Sequence, residues 1–284
     1  MVPLSSCGKA DTSGHGVGPD EPKTETIADR LDEGKPFGIR AVLVGSIDAV
    51  NVGGERFYTM QGMASDGEYL YFALLAQKTA GMTEEERPGI VVKYSTEPFK
   101  LVSYSKEALY LGHANDMAYD FVAGNMIIAT MTENDAILRF DTSGMKVVKE
   151  DKIPNFGAKV WAISSQSNGN FLVFKGSTLC HTDNHFTKLR TFNRTDSTEG
   201  YSGQGLGMDD KYAYVPMSSN PRGHNAIAVY DFIKKKYVTT LRIEDDDEIE
   251  SVVWHKGKCY ANFITYNEYG KIDGAKLCEL VPEN

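Results

Sequence analysis

Three polar side chains, His113, Asn115 and Asp116, precede an apolar strand in the run Leu111-Gly-His-Ala-Asn-Asp-Met-Ala-Tyr-Asp120. A histidine beside a carboxylate can be a base with its orienting partner, or can bind an ion or a sugar hydroxyl. Glycosidic chemistry needs a second carboxylate, and Glu250, with Glu248 two residues before it, is the candidate. Other polar residues occupy comparable places before strands: Gln61, Lys159 beside Trp161, and Gln204. Tyr201 leads into the last of these as a candidate aromatic platform for a ligand. Amides bind but do not transfer protons, so Gln61, Asn115 and Gln204 favour recognition over catalysis.

These residues are brought together only if the segments that carry them are equivalent. They align as a repeat. Gln61-Gly-Met-Ala-Ser-Asp-Gly-Glu-Tyr-Leu-Tyr71 and Gln204-Gly-Leu-Gly-Met-Asp-Asp-Lys-Tyr-Ala-Tyr214 match best. The units starting at Asn115 and Glu250 follow the same pattern, and the one starting at Lys159 is the loosest. Each unit continues into further short strands rich in β-branched and aromatic residues, broken by Asp-Gly, Asn-Gly and Lys-Gly turns. A period of about 45 residues with four strands each is the signature of propeller blades. The pattern therefore predicts an all-β, five-bladed β-propeller of four-stranded blades over residues 37–284. The strand near Ile39 is left over, and is expected to close the ring by pairing with the open edge of the last blade. In that fold the first strand of each blade lines the central channel. The candidate residues would then converge on a polar funnel at one mouth, a default binding site. The competing structural role is that channel amides satisfy backbone groups of neighbouring blades.

The chain has 284 residues and a formal net charge of −9. An acidic surface repels phosphate backbones and makes nucleic acid a poor partner. No apolar run is long enough to span a bilayer. None of the four cysteines forms a C-x-x-C pair, which argues against structural zinc. Cys259 and Cys278 fall on predicted hairpin partners, leaving a disulfide or two reduced core thiols open. No cofactor is implied. The acidic run Glu244-Asp-Asp-Asp-Glu248 leaves calcium open, although it lacks the D-x-[DN]-x-[DN]-G pattern. His181 and His185 are four apart, but on a strand and turn rather than on one helix face, so a metal pair is not expected.

Residues 1–36 read as a tail or linker, rich in Gly, Ser, Thr and charge, with a short helical turn expected at Glu25–Leu31. Leu4-Ser-Ser-Cys7-Gly looks like a lipobox, in which Cys7 would be lipidated; only Met1-Val-Pro stand before Leu4, so on that reading the start is a trimmed or misassigned lipoprotein signal. An incidental cysteine in a polar tail is the other reading.

The runs Gln61–Tyr71 and Leu111–Tyr119, above all Gly112-His-Ala-Asn-Asp-Met117, resemble a group of secreted or surface-attached bacterial β-propeller proteins that carry a G-H-A-N-D-M motif. The resemblance implies a bacterial, extracytoplasmic propeller, secreted or lipid-anchored at the cell surface. It carries no established activity. The expected function is a propeller that binds a glycan, peptide or small molecule at the funnel. A glycosidase or lyase using Asp116 and Glu250 with His113 assisting is one alternative, and an interaction scaffold in an envelope complex is another. On the binding reading, Asp116→Ala should spare the fold and abolish binding.

Overall fold

The computed structural model describes residues 25–132, 135–154, 156–195, 200–219 and 222–283; Cys7 lies outside them. The strands form five sheets, one per repeat. From inside outwards, blade one holds Glu55–Ser65, Leu70–Ala76, Pro88–Thr96 and Phe99–Tyr104. Blade two holds Asp116–Asp120, Asn125–Ala129, Ala136–Asp141 and Lys146–Lys152. Blade three holds Ala162–Ser165, Phe171–Lys175, Thr178–Thr182 and Lys188–Asn193. In blade four the inner strand is split into Tyr201–Gly203 and Gly207–Met208, both paired with Tyr212–Ser219, followed by Asn225–Asp231 and Lys236–Ile243. Blade five holds Glu248–His255, Lys258–Tyr266 and Ile272–Glu283, and its outermost strand is Gly38–Ile47 from the start of the chain. That strand runs antiparallel to Ile272–Glu283, from Gly38 opposite Glu283 to Ile47 opposite Ala275, so the ring is closed as the leftover strand predicts.

The core is distributed between blades. Five apolar clusters each combine side chains of two adjacent blades, one cluster per junction. This explains why second strands are continuously apolar. In Leu70–Ala76, Leu70, Phe72 and Leu74 face blade five while Tyr71, Ala73 and Leu75 face blade two. A strand covered on both sides needs apolar residues at every position.

Two readings left open by the sequence are decided on this scaffold. The helical turn expected near Glu25–Leu31 is the helix Ile27–Glu33, capped by Thr26 and Asp29 and ended by Gly34 in the left-handed region (φ 70°). Its Ile27 and Leu31, one turn apart, are buried against blades four and five. The two hairpin cysteines are not opposite one another. Cys259 faces Leu280 and Cys278 faces Ala261, so both remain buried free thiols.

Candidate functional site

Of the residues expected to form the funnel, Asn115 and Asp116 join the other blades at the channel axis, and they seal it. Asp116 is fully buried. Its Oδ2 accepts the backbone N–H of Leu206 of blade four at 2.8 Å and of Ile163 of blade three at 3.3 Å. Its Oδ1 accepts the hydroxyl of Ser251 of blade five at 2.8 Å. Blade one arrives as backbone: a Cβ on Gly62 would lie 2.6 Å from the Asp116 carbonyl carbon and Cα, so only glycine permits this approach. Burial pushes the Asp116 carboxyl well up, against the hydrogen bonds that pull it down. Asn115 continues the pin, its amide nitrogen donating to the carbonyls of Trp161 at 2.6 Å and of Gln204. Asp116 is thus a five-blade hub with no lone pair facing a substrate, which removes it as the acid or base of a glycosidase.

His113 does not orient Asp116. Its Nδ1 is 3.3 Å from Glu84 Oε2, and Glu84 also holds Lys78 at 2.7 Å. Burial lowers the affinity of His113 for its proton despite Glu84. The Gln204 amide donates to Glu248 at 2.9 Å, and Glu248 accepts the hydroxyls of Ser218 at 3.1 Å and Tyr266 at 2.5 Å. Glu250 is buried, and burial together with the charge of Glu248 pushes its carboxyl well up. Gln61 is buried as well, its amide nitrogen on the Met60 carbonyl at 2.8 Å. Trp161 is 37% exposed and sets its ring edge-on to Phe174. Tyr201 is half-buried and paired through its backbone with Ser219. The acidic run does hold a cation, but that cation is Lys276, whose Nζ sits 2.9 Å from Asp245 and 2.8 Å from Asp247. His181 and His185 do not pair: His181 is buried with its Nδ1 on Arg190 at 3.0 Å, while His185 is exposed on the turn.

The open concavity is at the opposite mouth, where the innermost strands end and turn back. A cavity of about 390 Å³ is lined there by residues of all five blades. Met63, Met117, Met208 and Val252 contribute apolar surface, and Tyr119, Phe121 and Trp254 add aromatic surface. Ser164, Ser165, Ser167, Gln166, Asp209 and His255 bring polar groups to the same space. The Gln166 side chain donates to the Asp209 carbonyl at 2.9 Å; among the described residues its buried Oε1 has no partner, nor has the buried indole N–H of Trp254. His255 is fixed by Ser65 at 2.8 Å and Thr96 at 3.2 Å, and burial lowers its pKa to about 4, so it is neutral at pH 7. Asp209 is engaged by its own turn, accepting from Lys211 N, Tyr212 N and the Tyr214 hydroxyl.

None of these cavity residues was singled out by the sequence, yet a signal was present. Asp66 bonds Tyr71 and Asp209 bonds Tyr214 across the same five-residue interval, each also capping the turn backbone. That shared device is why units one and four match best. The residue at the corresponding place is Asp120 in blade two, Gln166 in blade three and His255 in blade five, so a change of type at a repeated position marks two of the residues that line the cavity.

No protein-family model matches the chain, and no curated protein matches it. Solved structures do. Hydrazine synthase of Kuenenia stuttgartiensis is similar over 84% of this chain and 66% of its own, at 13% identity and a TM-score of 0.43. The present chain therefore spans just under two thirds of that one. A GH43_1 enzyme from Xanthomonas citri is similar over 85% of this chain and 89% of its own, at 9% identity and a TM-score of 0.49. A Bacteroides caccae protein of unknown function covers 72% of each chain at 13% identity and a TM-score of 0.38. The architecture itself, five four-stranded blades closed by the first strand, is that of a five-bladed β-propeller.

Proposed function

We propose that the chain is a ligand-binding propeller and that its ligand is a small, neutral, amphipathic molecule seated in the cavity at the strand-end mouth. One observation carries this: a cavity of about 390 Å³, bounded by all five blades, with polar side chains of blades three, four and five beside an apolar wall. Small-molecule sites typically have that size and that mixture of surfaces. An apolar body would rest on the methionines and aromatic rings. The serines of blade three, Ser164, Ser165 and Ser167, would exchange hydrogen bonds with the polar groups of the ligand and supply selectivity.

The test is native mass spectrometry of the wild type and of Ser165→Trp, a variant that fills the cavity, against a panel of neutral metabolites, monosaccharides, disaccharides and dipeptides. A ligand retained by the wild type and lost from a Ser165→Trp protein with an unchanged melting curve supports the reading. Equal retention by both proteins moves the binding site elsewhere.

A further inference from the structure

The cavity at the strand-end mouth holds a hydroxyl and an imidazole in contact. Ser65 ends the inner strand of blade one, and His255 ends the inner strand of blade five. Both line the cavity, and Ser65 Oγ lies 2.8 Å from His255 Nδ1. Thr96 ends the third strand of blade one, with its Oγ1 3.2 Å from His255 Nε2. A hydroxyl on one ring nitrogen and an orienting group on the other is the pattern that activates a serine nucleophile.

The hydrogen-bonding groups agree on one direction of proton transfer. Neutral imidazole carries one N–H and one lone pair, and burial, by lowering the pKa of His255 to about 4, keeps the ring neutral at pH 7. With the proton on Nε2, the ring donates to Thr96 Oγ1 and Nδ1 accepts from Ser65. The Gly67 backbone N–H donates to Ser65 Oγ at 3.0 Å, which occupies one lone pair of that oxygen and leaves its hydrogen for Nδ1. Asp66 and Glu97 favour the imidazolium that would form, against burial and Lys256. An imidazole of low basicity holds a transferred proton weakly and passes it on readily, so the fitting acyl donor is an ester with a good leaving group.

We propose that Ser65 and His255 form a nucleophile–base pair that takes the acyl group from small, neutral, activated esters, with Thr96 positioning the imidazole, a reading that rests on the cavity as the ligand site. Ser65 Oγ would bond to the carbonyl carbon while its proton passes to His255 Nδ1. The bond from that carbon to the leaving oxygen would then break, and the leaving oxygen would take the proton from Nδ1. Water attacking the acyl carbon would regenerate the pair: its proton passes to Nδ1 and on to Ser65 Oγ as the serine ester breaks, giving a carboxylic acid and free serine.

The experiment is incubation of the full chain with p-nitrophenyl acetate, following release of p-nitrophenol and mapping acetyl groups by peptide mass spectrometry. The expected result is an acetyl group on Ser65 and an initial release about a hundredfold faster than from Ser65→Ala. His255→Gln should slow release by a similar factor. Thr96→Val should slow it as well, and Thr96→Ser, which keeps the hydroxyl, should restore it. Ser165→Trp should block acetylation by filling the cavity. Mapping of the wild type needs no variant, so it decides the matter even where a substituted chain does not fold. A wild type without acetyl on Ser65, or one that releases p-nitrophenol no faster than folded Ser65→Ala, overturns the pair and leaves the cavity to its own retention test. Acetylation of Ser65 that is undiminished in Ser165→Trp supports the pair and overturns the cavity as its ligand site.

Discussion

The two ends of the channel use similar strands for opposite purposes. At the strand-start end, Asp116, Asn115, Gly62 and Gly205 draw the inner strands together until backbone touches backbone. At the strand-end mouth the same strands diverge around a cavity, and Gln166 Oε1 and the Trp254 indole N–H find no partner among the described residues. Polarity alone does not tell a site from a pin. A buried polar group whose valences are filled by protein holds blades together, whereas one whose valence is open waits for a ligand.

The largest test of that contrast is Asp116→Ala. It strips the acceptor from two backbone N–H groups and a hydroxyl in a sealed location, at a cost of about 3–5 kcal/mol. A fall in melting temperature of about 10 °C is expected. This reverses the expectation from sequence that the variant would spare the fold, and a melting curve within about 2 °C of wild type would break the comparison outright. Gly205→Ala should come next. Its Cβ would meet the Glu250 carbonyl oxygen at 2.6 Å, and overpacking of that kind costs about 2–3 kcal/mol. Chemical denaturation reads this as a lower midpoint at unchanged slope.

A pH titration probes the wall of the cavity. The pKa of His255 is lowered by burial to about 4 in the folded state, against about 6.5 when unfolded. Between those values the unfolded chain binds the proton and the folded chain does not, so stability is full above about pH 6.5 and declines as pH falls towards 4. His255→Gln should flatten that decline by roughly 2 kcal/mol, read from denaturation midpoints at successive pH values. An unaltered slope would mean that His255 is not held neutral. The smallest effect is expected from Gln166→Leu, which should weaken ligand retention about tenfold and cost about 1 kcal/mol through loss of the bond to the Asp209 carbonyl. Unchanged retention would show that the open amide oxygen is not used.

Much of the fold was legible because its signals are local. Turn-capping Asp66 and Asp209, each bonded to a tyrosine five residues on, repeat visibly along the chain. Blade three reads as the loosest unit partly because Gln166 replaces that aspartate and reaches across to Asp209 instead of capping its own turn. The site was less legible. Asn115 and Asp116 reach the axis while His113 turns to Glu84, and nothing in His-Ala-Asn-Asp-Met says whether Asp116 meets solvent or three donors from other blades. The cavity went unseen because its lining is mostly Met, Ser and Val, which carry no catalytic signature.

The sequence by itself determined the repeat and the strand periodicity, which follow from side-chain alternation and turn chemistry within short windows, and the pairing of the first strand with the last blade, which follows from one strand left over and one open edge to cover. Only the tertiary structure decided which mouth is open, that Asp116 is a pin, and that Cys259 and Cys278 are out of register. Those outcomes rest on contacts such as Asp116 with Leu206 and Ser251, 90 and 135 residues apart, which exist only once the ring has closed.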